Sequence, residues 1–331
     1  MPLILEEATK INIGHFNFKK FGFVLEKAHR EQLFDKAKSN VGNTWVNLSK
    51  QLGIAPSYLF KLRKGQRSIN YSLLHKIAEK ANVSLSEVEK NVTHIRSGGS
   101  FCRISLPILL NENLLGLVAH GFGDGHIISK NFGFRYCNHD NSLIERVHQM
   151  VTKAFGEISF YDQLSSHGVP VRTYPFVVGH ILHLLGVPKG NKTLQPFTLP
   201  QWLIDSNREY KRIFLREIFS DEGGIRSDSG KSNRSISFAQ SKWVKYEESL
   251  RAFLNEIKEM LNEFGIKSRK VTFQKRYIDK KGREKVVLGF DISKLKNLIL
   301  FKQEIGFSSP EKMRDLESII KSFNGYHENE M

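Results

Sequence analysis

Cysteine is almost missing from this chain, with only Cys102 and Cys137 among 331 residues. Neither sits in a CxxC pair or a Cys/His cluster, so neither a disulfide framework nor a structural zinc site is implied. Long apolar runs are missing too. No segment approaches the roughly twenty continuous apolar residues of a membrane span, and residues 1–19 mix acids and bases without a signal-peptide block. A soluble, intracellular, cytoplasmic protein with no membrane partner is expected. Acidic charge is the third deficit: 34 Asp and Glu stand against 50 Lys and Arg, a formal charge of +16 with a pI near 9.7. Such a surplus makes a polyanion the first partner to consider. At this length the chain should form more than one unit.

Two stretches organise the rest. LLGLVAHGFGDGHI (114–127) and IFLREIFSDEGGI (213–225) are apolar runs at helical spacing. Small residues fall on their last turns, Ala119, Gly121 and Gly123 in one and Ser220 in the other, and each stops at an acid followed by glycine. Glycine permits the left-handed turn that ends a helix, and small side chains let two helices approach. Each stretch therefore reads as a helix delivering a carboxylate, Asp124 or Glu222, at its C-terminal end. Two such ends combine macrodipole and carboxylate charge, a place suited to divalent cations.

The segments that follow also repeat. After Gly125 come HIIS, a Lys130-Asn131 turn and FGFRYCN as a hairpin, then a helix with Leu143, Val147, Val151 and Phe155 on one face. ISFYDQLSS and VPVRTYPFV, broken at His167-Gly168, form a second strand pair before the helix GHILHLLGV. After Glu222 the same order is expected: strands near 224–229 and 235–240, a helix carrying Leu250, Phe253, Leu254, Ile257, Leu261 and Phe264, a hairpin in KVTFQKRYIDKKGREKVVLGFDI, and terminal helices. The reading is an internal duplication, αββαββα twice, with pseudo-twofold symmetry.

Ahead of it, Ile11, Ile13, Phe16 and Phe18 alternate with polar residues in the period-two manner of a hairpin-like arm over 1–27. Residues 28–95 read as helices, two of them short and joined through Gly53, with Pro56 in a first turn and Gly65 at a close. VTHIRSGGSFCRIS (92–105) reads as the linker, with an extended entry around 101–106.

The helix pair resembles the helix-turn-helix of lambda-repressor-type regulators. That resemblance implies a core of Trp45, Leu48, Leu52, Leu59, Leu62, Ile69, Leu73 and Ile77. It directs Ser57, Tyr58 and Lys61 towards the major groove and Arg63, Lys64 and Arg67 towards phosphates. The two acid-ended stretches resemble the paired motif of LAGLIDADG homing endonucleases, in the form found in inteins and archaeal introns. LGVPKGNKTLQPFTLPQWLI (185–204) is similar to that family's connecting segment and NLILFKQEIGFSSPEKMRDL (297–316) to its closing helices. The resemblance spans roughly residues 96 to 325.

It implies an α+β fold, a duplicated LAGLIDADG domain with saddle-shaped antiparallel sheets behind an all-α helix-turn-helix domain. The halves are expected at 96–190 and 213–331, joined by 191–212. By the same resemblance Asp124 and Glu222 are catalytic and hold Mg²⁺ or another divalent cation, with the carbonyls of Gly123 and Asp221 as further ligands; Asp221 is the weaker acid of its pair. Asn138, Gln240 and Lys294 are secondary candidates, although Val177 and Val178 offer no lysine in the first half. Groove-facing candidates on the sheets are Lys130, Arg135, Arg226, Arg234, Lys270, Gln274 and Arg276. Glu217 stands where the family usually has glycine, and a buried glutamate needs a partner, with His120 the nearest choice.

The implied activity is site-specific, metal-dependent double-strand cleavage of DNA by a monomer. The alternative is a non-cleaving, DNA-binding transcriptional regulator on the same scaffold, and an RNA-binding splicing helper is a third. Protein splicing is not expected, since residue 1 is no nucleophile and the chain ends HENEM.

Overall fold

A computed structural model describes residues 10–16, 20–97, 99–227 and 234–323. The chain opens with β1 (Lys10–Ile11), a 3₁₀ turn (Ile13–Phe16) and β2 (Phe21–Leu25). Five helices follow: α1 (Lys27–Asn40), α2 (Trp45–Leu52), α3 (Pro56–Arg63), α4 (Tyr71–Ala81) and α5 (Leu85–Glu89). Their ends are written in the sequence. The side chains of Thr44, Asn70 and Ser84 cap α2, α4 and α5 by accepting free first-turn N–H groups. Gly53, at φ 67°, ends α2, and Pro56 starts α3. Leu48, Leu52, Leu59, Leu62, Ile69, Leu73 and Ile77 are buried as expected. Trp45 is only partly buried, with Lys38 and Arg63 stacked over its ring.

Two expectations for this region fail. The described residues between 10 and 25 form no hairpin, because β1 and β2 find partners later in the chain; Phe18 lies outside the described residues. The expected linker is itself structured as β3 (Val92–Ser97) and β4 (Ser100–Arg103), and β2, β3 and β4 make a three-stranded sheet in that order. Alternation explains this, since Ile95 and Ser97 are buried with Cys102 opposite Ile95, a bulge where Leu25 meets Val92 brings Val92 inward as well, and Gly99 lies in the turn. β1 pairs instead with β5 (Ile108–Leu109), just before the duplicated region.

The duplication is present. The first half runs α6 (Glu112–Phe122), β6 (Gly125–Ile127), β7 (Phe134–Cys137), α7 (Asn141–Phe155), β8 (Tyr161–Leu164), β9 (Pro170–Tyr174) and α8 (Phe176–Leu184). A connecting stretch carries the short α9 (Gln201–Ile204). The second half runs α10 (Arg208–Glu222), β10 (Gly223–Ser227), β11 (Arg234–Trp243), α11 (Glu247–Glu263), β12 (Thr272–Ile278), β13 (Glu284–Ile292), α12 (Leu295–Glu304) and α13 (Pro310–Lys321). Both four-stranded sheets are antiparallel with the same order, β6-β7-β9-β8 and β10-β11-β13-β12. The predicted faces of α7 and α11 are buried. One face of each sheet packs on helices and the other lies open, as antiparallel sheets allow. Among the described residues, no helix is long and apolar enough to cross a membrane.

Candidate active site

α6 and α10 cross at the centre, and small residues set how closely. A methyl group added at Gly123 would come within 2.7 Å of the Asp221 Cβ, and one at Gly116 within 2.8 Å of Met150 and 3.5 Å of Glu217. Gly121 does not face the partner helix; it packs on Val187, so its smallness serves its own half. This contact leaves the two helix ends side by side.

Asp221 is the fastener between them. Its side chain is fully buried, and its carboxylate accepts from Tyr136 Oη (2.6 Å), His120 Nδ1 (3.0 Å) and the backbone N–H of Asp124 (3.1 Å). Burial, with Asp221 close by, holds the Tyr136 phenol well above its usual range, so it remains a donor. A carboxylate with this many donors is spent on structure.

Asp124 and Glu222 are placed differently. Both are half-buried, and each is braced by an amide from its own half: Asn138 Nδ2 donates to Asp124 Oδ2 (2.8 Å), and Gln240 Nε2 donates to Glu222 Oε1 (3.0 Å). Asn138 and Gln240 occupy equivalent second strands, and both amides hold carboxylates in place. Burial raises the Asp124 carboxyl well above its usual range, and the charges of Asp221 and Glu222 add to it. Burial likewise pushes Glu222 up to about 7, with Asp221 adding and Lys192 opposing. Carboxylates that repel one another in one place hold protons, or a cation, more tightly.

Two lysines at the site escaped the sequence reading. Lys192 Nζ donates to the carbonyls of Gly121 (3.0 Å), Phe122 (2.9 Å) and Gly123, closing the C-terminus of α6. Lys312 Nζ donates to the carbonyls of Ser220 (2.5 Å) and Asp221 (3.2 Å), doing the same for α10. A cation at a helix C-terminus meets the negative end of the macrodipole. Burial lowers both ammonium pKa values, and the three acids push back. The carbonyls of Gly123 and Asp221, expected as cation ligands, are therefore occupied by lysine. Lys294 is elsewhere: it starts α12 at φ 75° and lines a separate cavity of about 590 Å³ with Arg234, Lys267, Arg269 and Lys296. Val177 and Val178 are core, and the first half receives its lysine from the connecting stretch instead. That lysine lies 68 positions beyond Asp124 and the other 90 beyond Glu222, so no fixed spacing announced the pair.

Glu217 has its partner. Arg146 grips it with both arms (2.9 and 2.5 Å), Ser308 Oγ donates to it (2.7 Å), and His120 Nε2 lies 3.2 Å away, at ion-pair distance. His120 thus stands between Glu217 and Asp221 with no exposed surface. Burial alone would lower its pKa, but the two acids outweigh burial and raise it to about 10. Glu217 falls to about 2, as hydrogen bonds from His120 and Arg146 overcome its own burial. The departure from glycine is a salt bridge across the helix interface.

The open sheet faces supply the surface around this centre. Register puts His126, Arg135, Thr173 and Tyr161 in one row on the open face of the first sheet. Lys130 is exposed in the β6–β7 loop. In the second sheet Arg226 lies on the open face, 3.4 Å from Asp291 across the strands, and Arg234 stacks on Phe323 at the sheet's end. Lys270 is exposed just before β12, and the Gln274 amide covers Gly289 on the open face. Arg276 departs from expectation. A bulge between Phe273 and Lys275 adds one residue, which inverts the alternation that follows. Arg276 consequently pairs opposite buried Val286 and reaches Glu247 of α11 (3.3 Å), while Lys275 and Tyr277 take the open face. Those two line a cavity of about 390 Å³ that leads to Lys192, Gln240 and Glu222. On α3 and its exit, Ser57, Tyr58, Lys61, Lys64 and Arg67 are exposed, while Arg63 is half-buried against Trp45.

The donor set fits a hard divalent cation in one form. Among the described residues no three His, Cys, Asp or Glu side chains cluster as a metal cage. Two oxygen-donating carboxylates with crowded negative charge suit a cation of the Mg²⁺ kind, which is often held by one or two carboxylates plus substrate phosphate and water.

Known proteins share these parts. The family profile of the LAGLIDADG-like domain matches residues 209–306, and that of the helix-turn-helix matches residues 38–88. The tRNA-splicing ligase RtcB of Pyrococcus furiosus is 32% identical over 128 residues, which is 39% of this chain and 13% of that protein. Glutamine–fructose-6-phosphate aminotransferase of Methanocaldococcus jannaschii is 23% identical over 309 residues, 92% of this chain and 26% of that protein. The chain thus spans about a quarter or less of either relative. Among solved structures, I-DmoI in complex with DNA and Ca aligns at 11% identity and TM-score 0.39, covering 62% of this chain and 97% of that one. Full-length DUF199/WhiA from Thermatoga maritima aligns at 12% and TM-score 0.39, covering 66% and 62%. The duplicated half-domain and the helix-turn-helix are thus each found in the fold and each matched by its own profile, a LAGLIDADG-like domain in the second half and a helix-turn-helix ahead of the paired motif.

Proposed function

We propose that the chain is a site-specific, divalent-metal-dependent DNA endonuclease acting as a monomer. One observation carries this reading: two carboxylates on facing helix ends, each braced by an amide of its own half and each driven above its usual pKa. A scaffold kept only for binding has no use for that arrangement, since neutral side chains would fill it without the repulsion. Asp124 and Glu222 would hold the cation, which supplies Lewis-acid stabilisation of the phosphate and a water of lowered pKa. Asn138 and Gln240 fix the carboxylate oxygens. Lys192, with its donors turned to carbonyls, contributes positive charge beside the phosphate rather than a hydrogen bond to it, and Lys312 does so from the other half. The open sheet faces and α3 would bind the duplex, since base-edge readers and phosphate-neutralising residues are both exposed there. The matched relatives bear names of different activities, a ligase and an aminotransferase. That this chain matches a minor part of each is in keeping with a function of its own, separate from both.

A second reading, a DNA-binding regulator without cleavage, is favoured by Lys192 and Lys312, which neutralise the acid cluster without any metal. The deciding experiment is cleavage of a randomised duplex DNA library with and without Mg²⁺, by wild type, Asp124→Asn and Glu222→Gln. Mg²⁺-dependent cuts at one sequence, abolished by either substitution, establish the endonuclease. Selective binding without cuts, unchanged in both variants, establishes the regulator, and preference for structured RNA in competition would replace both.

A further inference from the structure

The helix-turn-helix is not hung on a tether. Phe16 and Phe21, both essentially without exposed surface, pack on the first half: Phe21 lies 5.0 Å from the ring of Phe176 and 5.0 Å from that of His180, and Phe16 lies 5.9 Å from His180. The His180 Nε2 also lies 3.2 Å from the carbonyl of His15, and β1 pairs with β5 at the entrance to the duplicated domain. Aromatic rings buried in this way hold the two parts together by apolar burial and edge-to-face contact. Such a contact opposes the relative motion that separate domains show by default.

β2 then ties this anchor to the DNA-binding helices. Lys20, at its start, borders a cavity of about 620 Å³ shared with Tyr161 and Thr173, which belong to the open face of the first sheet. Phe23 exchanges both backbone hydrogen bonds with Ile69 (2.7 and 2.9 Å), two residues beyond Arg67. From Phe21 to Phe23 a strand advances only about 7 Å. The basic exit of α3 is therefore held at the outer rim of the first sheet.

We infer that the helix-turn-helix and the first half-sheet form one rigid reading surface. A single continuous duplex lies across both, and its recognition site extends beyond the pseudo-dyad on the first half's side, at fixed spacing. This rests on the DNA-binding reading proposed above. It adds an asymmetry that neither the duplicated domain nor the helix-turn-helix predicts alone.

The test uses the full-length chain and duplexes enriched from a randomised library. Footprinting should protect more base pairs on one side of the pseudo-dyad, and combined replacement of Lys61, Lys64 and Arg67 by alanine should remove the extra protection alone. Inserting about 5 base pairs between the two protected regions turns the outer site by half a helical turn, and inserting about 10 restores the face but moves it by about 34 Å. Both insertions should weaken binding at least tenfold, to the level of the triple variant. Equal binding to the 10-base-pair insertion, as a flexible tether would permit, overturns the inference and leaves the DNA-binding reading standing. A symmetric footprint unchanged by the triple substitution also overturns it. Failure to enrich any duplex removes the DNA-binding reading itself, and this inference with it.

Discussion

His120 is the residue whose loss should be felt most widely. It joins α6 to Asp221 and Glu217 of α10, and its charge exists inside the protein only because those two carboxylates are there. A rise in pKa from 6.5 to about 10 corresponds to about 5 kcal/mol at about 1.4 kcal/mol per unit, an upper bound for so enclosed a cluster. The sign follows from proton binding. Below pH 6.5 the stabilisation is fully present, because folded and unfolded chains are both protonated. Between pH 6.5 and 10 only the folded chain holds the proton, so stability falls as pH rises, by up to about 1.4 kcal/mol per unit. His120→Gln keeps the volume and one hydrogen bond but leaves Asp221 and Glu217 without their shared cation. Breaking a buried pair this way typically costs about 3–5 kcal/mol. Urea denaturation should therefore show a loss of about 3 kcal/mol at pH 6.5 that shrinks towards pH 10. Parallel pH dependence for wild type and variant, or a loss below about 1 kcal/mol at pH 6.5, would refute the account of a buried imidazolium.

Gly123→Ala should disrupt the centre far more than Gly121→Ala. The first pushes a methyl group into Asp221 across the helix interface, whereas the second meets only the Val187 side chain of its own half. Overpacking costs about 1–3 kcal/mol at either place, but only at Gly123 should cleavage fall out of proportion to stability. On the second sheet, Lys275→Ala should lower the slope of log affinity for duplex DNA against log salt by about 1, as expected for one lost phosphate contact. Arg276→Ala should leave that slope unchanged, because the bulge turns Arg276 towards Glu247. Equal effects from both would mean that the open face is not the DNA face.

The elements that the sequence announced are those governed by local rules. The two repeats of αββαββα and the capped helices of the helix-turn-helix follow from periodicity, glycine and side-chain caps. The acid-glycine helix ends fall where expected but not by the expected left-handed turn: Gly223 sits at φ -77° and Gly125 is not left-handed either, and each is glycine because a methyl group there would strike the carbonyl of Phe219 or His120. The site's second layer was less legible, for three separate reasons. Lys192 and Lys312 reach the helix ends from unequal distances along the chain, so only the folded geometry makes them equivalent. The β12 bulge adds a single residue, and no local pattern around Gln274 distinguishes it from regular alternation. The β3–β4 hairpin is not distinguishable from a linker locally, because Ser-Gly-Gly reads equally as either, and the choice depends on β2, about 70 residues earlier, being available as a partner. Glu217 was the opposite case. Its conflict with a close helix interface was visible because the resemblance puts glycine at that position, and so was the need for a partner.

The acid cluster also separates the two functional readings without any DNA. A Glu222 carboxyl that titrates near 7 in the fold and near 4.5 when unfolded takes up a proton on folding between those values, so stability falls as pH rises through that window. Above pH 7 the ionised carboxylate opposes folding by about 1–3 kcal/mol, once the partial exposure of the site and the attraction of Lys192 are allowed for. Glu222→Gln removes the charge, keeps the shape and still accepts from Gln240. It should raise the melting temperature at pH 8 and change it little at pH 5. Mg²⁺ should then stabilise wild type at pH 8 and fail to stabilise the variant, because the cation relieves the same repulsion that the substitution abolishes. If the variant is no more stable at pH 8 and Mg²⁺ affects both proteins alike, the carboxylates are not a cation site. The chemistry proposed for them then falls, leaving the regulator reading.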